Sequence, residues 1–251
     1  MTSSEPQFVF AHGFTQTGRS WENVERRLRA AIPDYRTTAV DLPGHGDAPP
    51  SLATADLWRS ADHLVERGGR GIYVGYSMGG RVALHAALAH PDAVEALVLI
   101  GATGGIDDPH ERSKRRADDE RLADRIEQIG VDDFLTEWLA KPLFVGLTNE
   151  TAQLTDRRRN TAAGLASSLR STGTGTQQPL WNRLPEIVAP TLVIVGERDT
   201  KFRQLGDRTV SATPNSGLVV IDSAGHSAHL ERPADTVEAI VDWYATLGPR
   251  P

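Results

Sequence analysis

The fold of this chain is decided by the stretch Ile72-Tyr73-Val74-Gly75-Tyr76-Ser77-Met78-Gly79-Gly80-Arg81. It contains the pattern G-x-S-x-G directly after a short apolar run, which is typical of a buried strand, and directly before good helix formers without proline. A serine placed between a strand and a helix in this way forms a nucleophile elbow, where the serine is strained and its glycine neighbours allow close packing. The pattern predicts that Ser77 is a catalytic serine, in preference to a serine in an ordinary glycine turn.

Two later loops supply the partners that a catalytic serine needs. Asp199 follows the apolar run 191–195, and His226 lies in the loop after the apolar run 217–221. Serine, acid and histidine in this chain order are typical of a Ser-His-Asp triad on an α/β sheet. We expect His226 to accept the Ser77 proton, and Asp199 to hold the imidazole in one tautomer and stabilise its cation.

Other acids and histidines in the same loops compete for these roles. Asp222 and Glu197 are alternative acids, but Asp199 is preferred because a turn separates it from the strand end and lets it reach across. Glu197 is interpreted as a solvated loop charge. His229 is the alternative base, but its place close to the helix opening at Pro233 favours a structural histidine with satisfied hydrogen bonds.

A third loop completes the predicted site. Phe14 lies just after the strand-like run 7–11, and we expect its backbone N–H to form one half of an oxyanion hole. The N–H of Met78, the residue after the serine, is expected to form the other half. His12 and His45, in loops that border the same edge of the sheet, are interpreted as structural residues.

Strands and helices alternate along most of the chain. Strands are predicted at 7–11, 36–40, 71–75, 96–100, 191–195 and 217–221, and helices at 21–31 and 233–247 among others. Apolar strands without polar alternation are typical of parallel strands covered on both faces, so the sequence predicts a mostly parallel, doubly wound α/β sheet. The first strand begins too early to leave room for an additional N-terminal hairpin.

One segment interrupts this alternation. Residues 104–185 lack strand signals. Helices are predicted there at 118–129, 131–139 and 161–169. We interpret the segment as a helical cap over the site, inserted into a core made of residues 1–103 and 186–251, in preference to a surface module without a role in the chemistry.

Composition limits the possible partners and ligands. At 251 residues the chain is long enough for one domain with a sizeable core, and its formal net charge of −6 argues against a nucleic-acid partner. The absence of cysteine and the scattered histidines argue against a metal site, and no cofactor is expected. Without a signal segment or an apolar span, we expect no membrane insertion and take the cytoplasm as the default location. The sequence leaves open whether the chain is a monomer or a small homo-oligomer.

Seven segments together resemble one family of the α/β-hydrolase superfamily. They are HGFTQTGRSW (12–21), DLPGHG (41–46), GYSMGGRVAL (75–84), ERSKRRADDERLA (111–123), LASSLRSTGTGTQQPLW (165–181), GERDTKF (196–202) and GHSAHLERP (225–233). The family is that of 2-succinyl-6-hydroxy-2,4-cyclohexadiene-1-carboxylate synthase, called MenH. The elbow and triad are common to the whole superfamily, whereas the segments from 104–185 are much more specific. The resemblance implies an α/β-hydrolase fold with a helical cap.

The resemblance also implies a lyase activity in menaquinone biosynthesis. The family removes pyruvate from 2-succinyl-5-enolpyruvyl-6-hydroxy-3-cyclohexene-1-carboxylate, a small polycarboxylate whose carboxylates need bidentate donors. By motif match these donors are Arg81, Arg115 and one arginine of the run 157–159, for which Arg157 is preferred. Tyr76 and Trp138 match positions that line the family's pocket. The alternative for each arginine is a solvated surface side chain.

Two other classes of function remain as alternatives. A serine esterase or carbon–carbon bond hydrolase would use Ser77 as a nucleophile and form a covalent acyl adduct. A non-catalytic binding protein has no need for a complete triad. The chain departs from the family pattern at Ser227, where asparagine is common, but this residue is outside the triad.

Overall fold

The computed structural model describes residues 6–32 and 34–248, and within them six strands form one sheet. The strands are β1 (Gln7–Ala11), β2 (Arg36–Val40), β3 (Gly71–Tyr76), β4 (Val94–Ile100), β5 (Thr191–Gly196) and β6 (Ser216–Ile221). Their order is β2-β1-β3-β4-β5-β6, and every neighbouring pair is parallel. The predicted parallel sheet is therefore confirmed. The expected absence of an N-terminal hairpin concerns residues that lie outside the described ranges.

Helices follow the strands and cover both faces of the sheet. They are α1 (Glu22–Ala31), α2 (Leu57–Gly68), α3 (Met78–Ala89), α4 (Pro109–Leu139), α5 (Leu154–Arg157), α6 (Ala162–Thr172), α7 (Thr200–Ala212), α8 (Ala228–Glu231) and α9 (Pro233–Thr246). Successive residues of β1 point to opposite faces: Phe8 packs with α1 and α9, whereas Val9 packs with α2 and α3. Because both faces are buried, the central strands are apolar throughout, which explains their sequence pattern.

The segment between β4 and β5 holds α4, α5 and α6. Helix α4 begins at Pro109, nine residues before the predicted start at 118, because Asp108 caps it by accepting a hydrogen bond from the Glu111 N–H at 2.8 Å. Gly130 interrupts it with a φ of 77°, at the break predicted between two helices. Helices α4 and α6 share a small apolar cluster that includes Ile126 and Leu165.

No helix in the described ranges combines the length and the apolar character that crossing a membrane requires.

Candidate active site

The turn between β3 and α3 holds Ser77 in a strained conformation. Its φ of 50° and ψ of −107° lie in a region that non-glycine residues rarely adopt. A Cβ atom on Gly75 would lie 2.5 Å from the Gly79 carbonyl oxygen, and one on Gly79 would lie 2.1 Å from the Ala11 carbonyl oxygen. Both glycines are therefore needed for the backbone to pass this closely, as the sequence pattern indicated.

Ser77, His226 and Asp199 lie in one line of hydrogen bonds. Nε2 of His226 is 3.1 Å from Ser77 Oγ, and its Nδ1 is 2.8 Å from Asp199 Oδ2. Oδ1 of Asp199 accepts a hydrogen bond from the Phe202 N–H at 3.2 Å and so caps α7. This N-cap hydrogen bond orients the Asp199 carboxylate, so that it reaches His226 from beyond the end of β5. The arrangement suits proton transfer from Ser77 to His226.

The two alternative acids, Asp222 and Glu197, do not contact His226 in the hydrogen-bond arrangement described above. Asp222 is exposed after β6. Oε2 of Glu197 accepts a hydrogen bond from the Ser223 N–H at 2.8 Å. This exposed carboxylate therefore ties together the two loops that carry Asp199 and His226.

The prediction of a hydrogen-bonded His229 is wrong. The side chain is 1% exposed, and neither ring nitrogen has a hydrogen-bond partner among the described residues. Its ring packs instead against Trp21 and Tyr76, with centroid distances of 4.6 and 4.3 Å. Burial lowers the pKa of His229 to about 3, with repulsion from His226 adding to the shift, so the imidazole is neutral at neutral pH.

His12 and His45 organise the loops at the edge of the sheet. Nε2 of His12 accepts a hydrogen bond from the Leu42 N–H at 3.0 Å, and Nε2 of His45 accepts one from the Thr15 N–H at 3.3 Å. Burial lowers the pKa of both histidines, which keeps these nitrogens available as acceptors.

A cavity of about 240 Å³ opens beside Ser77, Asp199 and His226. The residues predicted for the site all line it: Phe14, Tyr76, Ser77, Met78, Arg81, Arg115, Trp138, Arg157, Asp199 and His226. Met78 is the first residue of α3, so its N–H has no acceptor within the helix. The Trp138 ring lies against Phe14 and Phe144 at centroid distances of 5.3 and 5.4 Å and forms an apolar wall.

Arg81 is a buried cation in this cavity. It is 7% exposed, and its Nη1 donates to the Thr172 carbonyl oxygen at 2.6 Å and to Gln177 Oε1 at 3.4 Å. Burial lowers the pKa of Arg81 to about 10, and repulsion from Arg115 contributes, so the guanidinium is still charged at neutral pH. Its hydrogen-bond acceptors are both neutral.

Arg157 is the second buried cation. It is 1% exposed, its Nε donates to the Ala152 carbonyl oxygen at 2.7 Å, and its Nη1 donates to Thr15 Oγ1. Burial lowers its pKa to about 10. No ion pair found in the described residues includes Arg81 or Arg157. Buried charges in proteins are normally paired, so these two cations favour an anionic ligand.

Known proteins resemble this chain over nearly its full length. The model of the Alpha/beta hydrolase family matches residues 8–239. The 2-succinyl-6-hydroxy-2,4-cyclohexadiene-1-carboxylate synthase of Salmonella agona (strain SL483) is 34% identical over 241 residues, which cover 94% of this chain and 92% of that protein. The protein of the same name from Serratia proteamaculans (strain 568) is 30% identical over 240 residues, with coverages of 92% and 90%.

The structure of MenH from S. aureus is similar as well. It has a TM-score of 0.85 and 30% sequence identity, and the alignment covers 96% of this chain and 94% of that one. This chain belongs to the MenH family. The family is an enzyme family of the α/β-hydrolase superfamily, and the resemblance expected from the sequence segments is confirmed.

Other cations of this MenH-family chain differ in their surroundings. Arg115 lines the cavity while its Nε donates to Asp119 Oδ1 at 2.8 Å. Arg158 is paired with Asp132 at the surface, with 2.6 Å between Nε and Oδ1. Arg159 pairs with Asp47, also away from the cavity. Of the run 157–159, only Arg157 lines the cavity.

Sequence reasoning missed two features of this site. Lys201 lines the cavity, and its place two residues after Asp199 was the available signal. The hydroxyl of Tyr76 lies 2.7 Å from Ser227 Oγ, so Tyr76 presents its ring to the cavity while its hydroxyl binds the loop of His226. Ser227, where the chain departs from the family pattern, thus contacts Tyr76, which was predicted to line the pocket.

Proposed function

We propose that this chain eliminates pyruvate from 2-succinyl-5-enolpyruvyl-6-hydroxy-3-cyclohexene-1-carboxylate to give 2-succinyl-6-hydroxy-2,4-cyclohexadiene-1-carboxylate. The observation that carries the proposal is the pair of buried cations, Arg81 and Arg157, in the cavity that also contains Ser77. A substrate with several carboxylates gives both guanidiniums a charged partner, whereas a neutral ester leaves them unpaired. The names of the MenH-family relatives agree with this choice.

In the proposed reaction Ser77 acts as a base and not as a nucleophile. His226 accepts the Ser77 proton through Nε2, and the serine oxygen removes the acidic ring proton next to the succinyl carbonyl. The electron pair moves onto that carbonyl oxygen as an enolate. When the enolate collapses, its electrons shift through the ring double bond and break the C–O bond to the enolpyruvyl group. The departing enolpyruvate accepts the proton held by His226 and tautomerises to pyruvate, which returns the imidazole to its neutral form while Ser77 keeps the proton taken from the ring.

The remaining site residues stabilise charge in this scheme. The N–H groups of Phe14 and Met78 are the proposed oxyanion hole for the enolate, because both residues line the cavity beside Ser77. Arg81, Arg115 and Arg157 are proposed to hold the carboxylates. Asp199, whose Oδ2 lies 2.8 Å from His226 Nδ1, stabilises the imidazolium that forms.

We further propose that residues 104–185 act as the cap of a core formed by the rest of the chain. The segment supplies Arg115, Trp138 and Arg157 to the cavity, so it contributes both charge and apolar wall. Excluding water on this side strengthens the electrostatic interactions at the reacting atoms.

The test is to incubate the purified protein with the enolpyruvyl cyclohexene substrate while measuring released pyruvate and the absorbance of the conjugated diene. We expect the two signals to rise together and in equal amounts. Ser77→Ala, Asp199→Asn and His226→Ala should each lower kcat by about 10³-fold or more, and a double variant should be little worse than the worst single one. Near-normal turnover by a folded Ser77→Ala variant would overturn the mechanism.

The Ser77–His226–Asp199 geometry also favours a second candidate, a serine hydrolase that forms an acyl-serine. Intact-protein mass spectrometry during turnover separates the two. The lyase mechanism predicts no mass added to Ser77 by the cyclohexene substrate, whereas trapping of a substrate acyl group on Ser77 would favour the hydrolase.

A further inference from the structure

The loop that carries His226 is held by a carboxylate outside the triad. Oε2 of Glu231 accepts a hydrogen bond from the Gly225 N–H at 2.7 Å, and Oε1 accepts one from the Ser227 N–H at 3.1 Å. These two N–H groups belong to the residues immediately before and after His226. Both oxygens of one carboxylate thus bind the backbone on the two sides of the imidazole.

Within the described residues, Glu231 has no ion-pair partner. Charge-assisted hydrogen bonds to backbone N–H groups are stronger than neutral ones, and two of them from one planar group fix both position and orientation. The geometry therefore restrains the His226 backbone rather than neutralising a nearby cation.

The surroundings leave Glu231 little freedom to move. It ends α8, and its own N–H donates to the Ser227 carbonyl oxygen at 2.9 Å. A Cβ atom on Gly146 would lie 1.9 Å from Glu231 Oε2, so the segment after α4 packs directly against the carboxylate. A Cβ atom on Gly225 would lie 3.0 Å from Glu231 Oε1. Both glycines allow the backbone to approach the carboxylate closely.

We propose that Glu231 is a positioning residue that sets the His226 imidazole between Asp199 and Ser77. It acts through the backbone of residues 225–227 and contacts neither the substrate nor the reacting atoms. The distances of 2.8 Å to Asp199 and 3.1 Å to Ser77 depend on where this backbone places the ring, because the side chain of His226 has only two rotatable bonds. The proposal rests on the proposed role of the triad, but not on which substrate the cavity accepts.

The experiment compares Glu231→Gln and Glu231→Ala with a matched control, Glu197→Gln. Glu197 also accepts a backbone hydrogen bond in this loop region, from the Ser223 N–H at 2.8 Å, but it does not bind the residues that flank His226. Three quantities are measured for each folded variant: kcat and KM with the cyclohexene substrate, the rate at which a fluorophosphonate labels Ser77, and the melting temperature. The labelling rate reports how well His226 activates Ser77 without requiring the natural substrate.

We expect Glu231→Ala to lower kcat and the labelling rate together by about 100-fold, with KM changed less than threefold. Glu231→Gln keeps one acceptor oxygen and should lose about tenfold in both rates. Glu197→Gln should stay within twofold of the parent. If Glu231→Ala does not fold, Glu231→Gln decides the matter.

Either of two results would overturn the proposal. One is a folded Glu231→Gln variant with kcat and labelling within twofold of the parent. The other is an equal loss of labelling in Glu197→Gln, which would assign the effect to general loosening of the loop. If the parent labels at Ser77 but does not turn over the cyclohexene substrate, the proposed function fails while the labelling comparison still tests Glu231.

Discussion

At the scale of single residues, the guanidiniums that line the cavity separate a polyanion lyase from a general esterase. Replacing Arg81 or Arg115 by alanine should raise KM for the cyclohexene substrate, since each lost charge-assisted contact is worth about 1.5–3 kcal/mol, which corresponds to about 10- to 150-fold in kcat/KM. Arg81→Lys should rescue only in part, because an ammonium cannot reproduce the planar bidentate fork. The measurement is a paired comparison with a small neutral ester, whose hydrolysis should change little.

Arg158→Ala is the matched control for this comparison. Arg158 neighbours Arg157 in sequence but pairs with Asp132 at the surface, so its removal should leave both activities unchanged. Equal losses on the cyclohexene and the ester in Arg81→Ala would show that Arg81 supports the fold through Thr172 and Gln177 instead of holding a carboxylate.

At the scale of elements, the turn between β3 and α3 depends on two glycines that sequence pattern alone singles out. An alanine at Gly79 places its Cβ 2.1 Å from the Ala11 carbonyl oxygen, and one at Gly75 places it 2.5 Å from the Gly79 carbonyl oxygen. Because both obstacles are backbone, Gly79→Ala and Gly75→Ala should each lower the free energy of unfolding by about 3 kcal/mol or more. Denaturant unfolding monitored by circular dichroism measures this loss.

Gly217→Ala in β6 provides the comparison, since its Cβ would meet nothing within 4 Å. Its free energy of unfolding should stay equal or rise by up to about 1 kcal/mol. A Gly79→Ala variant as stable as Gly217→Ala would mean that the turn relaxes more easily than its backbone contacts indicate.

The central strands β1, β3, β4 and β5 were predictable because each is a largely apolar run that is almost fully buried. The edge strands β2 and β6 are only partly buried. The start of α4 was not predictable from apolar periodicity, because its first turns are charged. Only the N-cap residue Asp108 and the proline at the first helical position, Pro109, indicated where the helix begins. Chain order and motif pointed to Ser77, Asp199 and His226, which the structure brings within hydrogen-bond distance of one another. The contact of Tyr76 with Ser227 joins segments far apart in the chain, and their approach depends on packing that a single sequence does not encode locally. The contacts of Glu231 with the His226 loop are local, but no recognised motif marked them in the sequence.

At the scale of the whole molecule, buried neutral histidines make the folded state sensitive to acid. His85 and His229 have their pKa lowered by burial, to about 4 and about 3. In the unfolded chain both return to about 6.5, so the unfolded state binds more protons at acidic pH. Stability is therefore highest above pH 6.5 and falls as the pH decreases from there toward the folded pKa values. His12 and His45, whose pKa values are also lowered, act in the same direction.

The loss of folding stability between pH 7 and pH 5 can be measured, and part of it can be assigned to His229. Between pH 7 and pH 5, His85 and His229 should each reduce the free energy of unfolding by about 2 kcal/mol, as protonation of the unfolded imidazoles requires. His229→Phe keeps a ring between Trp21 and Tyr76 and cannot titrate, so it should shrink the pH 7 to pH 5 difference by about 2 kcal/mol. Urea unfolding of parent and variant at the two pH values gives both differences. An unchanged difference in the folded variant would show that His229 finds hydrogen-bond partners that keep it protonated in the core.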